Sequence, residues 1–471
     1  MSLPFHHGTR VTQSGEDAVL VKLGDSSVVG ILGTAPDAVV ADWPFNTPKL
    51  ITNVTQAVSL GAAGTLKENL DSIFDQGVTK VVVVRIDGGA NSAELLTNAV
   101  GDFAAQTGIH ALLKATSAGL PKPKLLLAPG LSTVSPADGV AAIAVTVAGS
   151  NYGADTSLAV SGTTGSGAII KPVIGAGGTI DSVIVEKPGY GYTGTLSVVV
   201  SNAGGGSGAT FSGTIGAVMN PITAEAIGVA EKLRAVFYAD GADGTDQQAV
   251  IARKLIGSKR IFFCDPRVLK SVSGVNVPQP SSSIFAGQQA EMDKSKGSHW
   301  AGSNKIIAGI VGTNRAVLYG EQANYLNENR VNTIINRGNG FRTWGVWTCA
   351  SESVWQFVNV VRTADAVNEA IEDAYLEFVD RPMTLANLDF MVWSGLQALK
   401  NFENAGMILP GSKFALADGN SPTTGAAGIV KFVMAFEVPA PMVDVRIAAH
   451  RNIEVGYNLL FNSVTGEIDI S

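Results

Sequence analysis

Apolar and polar positions change their period several times along this chain. In the first third the apolar runs are short and unbroken: residues 27–33, Lys80-Val-Val-Val-Val-Arg-Ile86 and Lys124-Leu-Leu-Leu-Ala-Pro-Gly130. Continuous Val and Leu are the mark of strands covered on both faces, as in a mostly parallel sheet. A further apolar stretch at 18–23 reads as another strand. Residues 67–77 and roughly 92–115 repeat apolar side chains at helical spacing, the first with a Gly stop. Strand and helix in alternation predict an α/β domain.

The rhythm breaks from about 141 to 217. Short Val/Ile/Thr strands, such as Asp181-Ser-Val-Ile-Val185 and Leu196-Ser-Val-Val-Val200, are divided by glycine. The stretch from Gly149 to Gly216 holds 17 of the chain's 54 glycines and few charges, which marks a separate module. Afterwards the α/β pattern resumes, with a helix at 222–233, a strand at 234–240, a helix at 246–256 and a strand at 260–264. That resumption predicts an inserted all-β domain and not a linker. A strand at 305–312 and a charged, Asn-rich loop at 321–330 follow.

Near Trp344 the character changes again. A helix is expected over 358–379, ending before Pro382. Thr384 is the expected N-cap of a long helix to Asn404, with Gly406 as its stop. Leu388, Met391, Val392, Leu396, Leu399 and Phe402 form its apolar stripe. Then comes alternation: Phe432, Met434 and Phe436 with Lys431, Val433, Ala435 and Glu437, and Val443, Val445 and Ile447 with Asp444 and Arg446. Period two predicts two half-buried strands, joined by Val438-Pro-Ala-Pro441. Residues 1–15 and 451–471 read as short β-forming arms on either side of the body. Arms beside a sheet predict strand exchange between subunits, so the pattern points to assembly.

Composition narrows the class. At 471 residues the chain has room for two to four domains, and with 46% apolar and 15% charged residues it is globular. A net charge of −7 and a pI near 5.4 argue against a nucleic-acid-binding surface. No apolar run approaches the ~18 residues needed to cross a bilayer. The first residues lack the apolar core of a secretory signal, so synthesis in the cytoplasm is expected. Cys264 and Cys349 are expected as two buried apolar residues in a reducing compartment.

Five features of the sequence bear on chemistry. Gly189-Tyr-Gly-Tyr-Thr-Gly194 matches GxGxxG, but a dinucleotide site needs that motif between a strand and a helix. Here a β-pattern follows, so a hairpin turn is expected. His6, His7, His110, His299 and His450 lack metal-ligand spacing. His299 with Asp293 and nearby serines has no positioned nucleophile. Asp240, Asp243 and Asp246 do not have EF-hand spacing, and capping of the next helix by Thr245 or Asp246 explains them. Trp344, Trp347 and Trp355 are expected at a seam between domains. No catalytic residue, cofactor or metal is expected, and the competing readings are a Rossmann-like enzyme or another virion part such as a baseplate component.

Several motifs, in order, resemble a known family. His6-His-Gly-Thr-Arg-Val11, Val28-Val-Gly-Ile-Leu-Gly-Thr-Ala-Pro36 and Trp43-Pro-Phe-Asn-Thr-Pro-Lys-Leu-Ile-Thr-Asn53 resemble the opening of contractile tail sheath proteins of P2-like phages and related phage-tail-like particles. The resemblance continues through Ala323-Asn-Tyr-Leu-Asn327, Gly340-Phe-Arg-Thr-Trp-Gly345, Thr348-Cys349, Val361-Arg-Thr-Ala-Asp365 and Val379-Asp-Arg-Pro-Met-Thr384. It covers nearly all of the chain outside 141–217.

The resemblance implies a structural subunit whose hexameric rings stack in a helical polymer around an inner tail tube protein. Contraction of that polymer drives the tube through a target envelope. Baseplate and tail terminator proteins are the other implied partners, with no nucleic acid and no membrane insertion, and the location is the virion tail. The implied fold class is α/β and α+β multidomain. It comprises an arm at 1–22, an outer α/β domain at 23–140 plus 218–343, the β insertion at 141–217, an inner α+β domain at 344–450 and an arm at 451–471. By the same resemblance, His7, Thr9, Val11 and Gln13, with Val455, Tyr457, Leu459 and Phe461, would donate strands to a neighbour. The acceptors would be Phe432, Met434, Phe436, Val443, Val445 and Ile447.

Overall fold

The structure is a computed structural model and describes residues 21–465, apart from 78, 134–136, 162–163 and 203. The expected donors His7, Thr9, Val11 and Gln13 and most of the first arm lie outside the described residues. Residues 21–25 carry no strand.

The apolar runs form one six-stranded sheet, in the order Ile261–Cys264, Val236–Asp240, Leu125–Leu127, Val29–Thr34, Val81–Ile86 and Pro48–Ile51. The first five are parallel, and only Pro48–Ile51 at one edge is antiparallel. Because side chains alternate along a strand, each run feeds two cores at once. Val82, Val84, Leu126, Phe237 and Phe263 face the helices Pro221–Leu233 and Asp246–Lys254. Val81, Val83, Leu125, Tyr238 and Phe262 face Leu66–Phe74 and Ser282–Lys296. Each fully buried Val or Leu contributes about 1.5–3 kcal/mol, so a two-faced sheet is the dominant stabilising unit.

The insertion begins and ends side by side. Gly139–Val147 and Thr210–Gly216 pair antiparallel, with Gly139 opposite Gly216. Beyond them Ile180–Tyr190, Ser166–Ile174, Ser157–Ser161 and Ser197–Ser201 form a four-stranded sheet around its own small core, including Leu158, Ile170, Ile180 and Tyr192. Two buried tyrosines tie its loops down: Tyr152 Oη accepts from Ala209 N and Tyr192 Oη from Ala168 N, both at 3.0 Å.

The C-terminal domain is built on the helices Val358–Tyr375 and Leu385–Asn404. Their facing residues Val367, Ile371, Leu399 and Phe402 join Phe414 in a third core. Thr384 caps the second helix as expected, its side chain accepting from Asn387 N at 3.2 Å. Of the expected stripe on that helix only Leu399 and Phe402 are buried in this core; Leu388, Met391 and Val392 are half-buried and Leu396 is 40% exposed.

Four expectations are corrected. The helix over 92–115 breaks into Ser92–Val100, a 3-10 turn at Gly108–Leu113 and Lys114–Ser117. The break is at Gly101, whose φ of 67° carries the chain out of the helix. Any Cβ there would lie 2.1 Å from Thr107 O. Residues 305–312 are largely irregular, with a bridge at Ile306 and only Gly312–Thr313 in a strand. The loop at 321–330 is instead a helix, Glu321–Glu328, whose Ala323 and Leu326 pack into the sheet's core. Met442 to Ala449, expected as a strand, carries no regular structure.

Candidate assembly surfaces and the domain seam

The expected acceptor residues divide into two groups. Phe432 and Met434 lie on the strand Phe432–Ala435, which pairs antiparallel with Lys413–Leu416, Met434 opposite Phe414. The Phe432 ring stacks on Phe414 at 5.5 Å, and Tyr375 closes on both rings. Phe436 follows on the same half-buried face. Among the described residues neither strand has a further neighbour, so the pair keeps open edges whose N–H and C=O groups can accept another strand. Val443, Val445 and Ile447 are elsewhere: they are 53%, 68% and 85% exposed and lie in no sheet.

The C-terminal donors are also placed differently from the expectation. Val455, Tyr457, Leu459 and Phe461 sit on a helix, Ile453–Thr465, begun by Asn452 Oδ1, which accepts from Val455 N. The four are 52–66% exposed. A strand needs a partner for its backbone groups, whereas a helix satisfies them within itself. In a single chain this segment therefore adopts the helix, and its apolar side chains find no cover.

The enzyme-like features are occupied by the fold's own groups. In open α/β sheets ligands sit beyond the C-terminal ends of the strands, often at a helix N-terminus. Here Asp240, ending its strand, fills that place: its carboxylate accepts from Ser282 N at 2.9 Å and Ser282 Oγ at 2.7 Å, at the start of the helix Ser282–Lys296. Burial pushes the Asp240 pKa up to about 6 against these hydrogen bonds. Next to it, Asp265 holds Arg315, which also binds Asp246 at 2.9 Å. Thr245 and Gln248 form a capping box on the following helix.

Gly189, Gly191 and Gly194 have φ of 59°, 76° and 77° and make a loop into the strand Ser197–Ser201, with no helix after it; the loop joins the two opposite edges of the four-stranded sheet, so it is a crossover and not the expected hairpin turn. Asp293, suspected beside His299, is taken by Arg362. Trp355 packs against both the sheet's core and the C-terminal core, at the seam. Lys400 and Glu403 have a structural task, for Glu403 accepts from Gly411 N, Ser412 N and Ser412 Oγ and so fastens the approach to the strand Lys413–Leu416.

The seam carries an arrangement that sequence reasoning missed. Arg362, Asp365, Glu369 and Glu372 follow one face of the helix Val358–Tyr375, at steps of three, four and three residues. Each binds the α/β domain: Arg362 to Asp293, Asp365 to Arg260, Glu369 to Lys122 at 2.5 Å and to Lys124, and Glu372 to Arg234 at 2.6 Å. Burial works against the Glu369 carboxylate, but hydrogen bonds from Lys122 and Lys124 hold its pKa below the ordinary value. The opposite face of the helix, with Val367 and Ile371, belongs to the C-terminal core. One helix thus joins two domains, by ions on one side and by packing on the other. The legible signal is the helical spacing of charges opposite an apolar stripe.

Comparison with known proteins fits this architecture. A family model, the phage tail sheath protein central domain, matches residues 213–349. Over 450 residues the chain is 28% identical to a prophage major tail sheath protein of Pseudomonas aeruginosa (strain UCBPP-PA14), covering 93% of this chain and 94% of that one. It is 25% identical to the tail sheath protein of Escherichia phage P2 over 443 residues, 90% of each chain. Among solved structures, the contracted sheath complex of an extracellular contractile injection system, PVC, superposes with a TM-score of 0.59 at 14% identity, covering 97% of this chain and 100% of that one. The contracted helical sheath of the anti-feeding prophage gives 0.59 at 13%, covering 94% and 98%. At such identities these last two are likenesses of fold. Residues 213–349 therefore match the central domain of the phage tail sheath proteins, and the chain is similar to tail sheath proteins, that of phage P2 among them, along nine-tenths of its length.

Proposed function

We propose that this chain is the structural subunit of a contractile tail sheath, and not an enzyme. Copies polymerise as hexameric rings around an inner tail tube, bounded by baseplate and tail terminator proteins, in the tail of a virion or a related particle. Contraction repacks the subunits and drives the tube through a target envelope, with no nucleotide consumed. The observation that carries the reading is the likeness to tail sheath proteins over nine-tenths of the chain.

The exposed C-terminal segment supports it. Val455, Tyr457, Leu459 and Phe461 leave a large apolar surface uncovered in the single chain. The open edge at Phe432–Ala435 offers what such a segment lacks. On assembly the segment exchanges its helix for a strand on a neighbour, beside residues 7–13 of another copy. Phe432, Met434 and Phe436 form the base of the acceptor, and Val443, Val445 and Ile447 order as its second strand. Each added backbone hydrogen bond nets only ~1 kcal/mol, so one arm is weak and a mesh of many is strong.

Negative-stain electron microscopy of the concentrated protein, with and without an inner tube as template, tests the assignment. Long striated hollow tubes are expected. Discrete small oligomers under both conditions would count for a baseplate component instead. Deletion of residues 1–13 then tests strand exchange, since tubes of unchanged length and stability would exclude it.

A further inference from the structure

The helix Ile453–Thr465 is built against the preference of its own sequence. Ile453, Val455, Tyr457 and Phe461 are strand formers, and Gly456 is a poor helix residue. Val455, Tyr457, Leu459 and Phe461 recur at every second position, which would set them on one side of a strand. On a helix, at about 100° per residue, the same four fall on two opposite sides. Such a helix has no single apolar face to lay on a body, and every described side chain on it is exposed. The stretch that leads to it, residues 442–452, carries no regular structure.

What holds this helix is local. Asn452 Oδ1 accepts from Val455 N at 3.2 Å, and Asn452 O accepts from Gly456 N at 3.2 Å. The rings of Tyr457 and Phe461, one turn apart, have their centroids 6.2 Å from each other, and Ser463 Oγ donates to Leu460 O at 2.8 Å. A helix of this length without tertiary support is marginal in water, so a strand edge that offers its backbone groups can convert it. From this conflict between sequence and structure we infer that the helix is an autoinhibitory form of the arm. It satisfies the arm's backbone in the free chain and must be given up before the strand is donated, so it acts as a gate that sets the concentration at which copies assemble. Between two free chains the loss of the helix is set against one short strand. At the end of an existing polymer it is set against several contacts at once, which favours growth over spontaneous joining. The inference rests on the sheath reading and adds to it the control of when the arm is released.

Two exposed asparagines separate the helix from the strand. Asn452 precedes the donated positions, and Asn458 would lie on the face of the strand opposite to Val455, Tyr457 and Leu459. Asn452→Ala removes the cap, whereas Asn458→Ala raises helix propensity, and Ala and Asn are both poor strand residues. In the full-length protein, amide exchange at 456–461 followed by mass spectrometry is expected to quicken with Asn452→Ala and to slow with Asn458→Ala. Urea unfolding of the body should be the same in both. The concentration needed for tubes, read by sedimentation, should fall about two- to fivefold in the first variant and rise about twofold in the second.

Tubes whose threshold ignores both substitutions, or moves the same way with both, would overturn the gate and leave the sheath reading standing. Amide exchange that responds to neither change would deny the helix in the free chain and overturn the gate as well. No tubes from wild type or either variant, with or without an inner tube as template, would overturn the sheath reading and the gate together.

Discussion

Asp240 caps a helix to which it does not belong: its carboxylate receives both the backbone N–H and the hydroxyl of Ser282, 42 residues further along the chain. The bond joins the C-terminal end of a sheet strand, the side on which open α/β sheets hold their ligands, to the start of the helix Ser282–Lys296. The protein has filled that position with its own anion. This relationship explains how a Rossmann-like sheet serves here as a rigid body.

Burial of the same carboxylate, which outweighs these hydrogen bonds, predicts an unusual pH response. With the folded pKa raised to about 6, the folded protein holds a proton that the unfolded chain releases near 3.8. This group's contribution is thus greatest below 3.8 and is lost as pH rises through 6, by up to roughly 2–3 kcal/mol. Asp240→Asn keeps an acceptor for Ser282 N and removes the titration. Denaturant unfolding of both proteins between pH 4 and 8 is expected to show the variant gaining relative to wild type as pH rises. Parallel curves would sink the account.

At the seam, Arg362 and Asp293 are both almost wholly buried. Removing one partner leaves the other charge uncompensated, so Arg362→Met is expected to cost about 3–5 kcal/mol. Adding Asp293→Asn should restore much of that, because the stranded charge is gone while Gln289 remains within reach of the side chain. A double-mutant cycle by urea unfolding measures the coupling, and additive losses would exclude it.

Glu369 responds to pH in the opposite sense from Asp240. Its folded pKa lies below the ordinary 4.5, so its contribution is present above 4.5 and is lost as pH falls through the folded value. Glu369→Gln should be less stable than wild type at pH 7, and the gap should close in acid. Domain separation, followed by small-angle scattering at descending pH, is expected to begin at a higher pH in the variant.

How far these features are legible in the sequence depends on what each residue reports. The run Val81–Ile86 announces a two-faced strand because both faces of it are apolar. The helix Ser282–Lys296 is silent because Ser282, Ser283, Gln288, Gln289 and Asp293 are buried alongside Ile284, Phe285, Ala290 and Met292, so burial does not follow a hydrophobic period. Charges at 362, 365, 369 and 372 stand at helical spacing in plain view, but their partners are 69 to 247 residues away in sequence. The arm at 453–465 reads as β from alternation alone. Its helix follows from the lack of a partner strand, which is a property of the single chain's surroundings and not of the sequence.

The β insertion should be dispensable for the body. Gly139 and Gly216 are paired neighbours, so residues 140–215 can be replaced by a short Gly/Ser turn without moving the strand Leu125–Leu127 or the helix Pro221–Leu233. Such an excision breaks the ion pair of Lys187 with Glu225 and the hydrogen bond of Tyr190 with Thr97 at 3.1 Å. Because the insertion's core is separate from the sheet's, the shortened chain is expected to melt within a few degrees of wild type and to keep its tubes. A collapse in Tm would mean that the insertion supports the fold.

Leu459 separates the stability of one chain from the stability of the assembly. It is 66% exposed on the helix Ile453–Thr465, so Leu459→Asp should change unfolding of the monomer by less than about 0.5 kcal/mol. In an exchanged strand, by contrast, the same side chain would be pressed against a neighbour's Phe432–Ala435 face, where a carboxylate is desolvated. The protein concentration needed for tubes should then rise about tenfold or more, read by sedimentation. Equal assembly of both proteins would leave the segment without a role in the lattice, whereas a shift confined to assembly ties the exposed apolar residues to the neighbour that covers them.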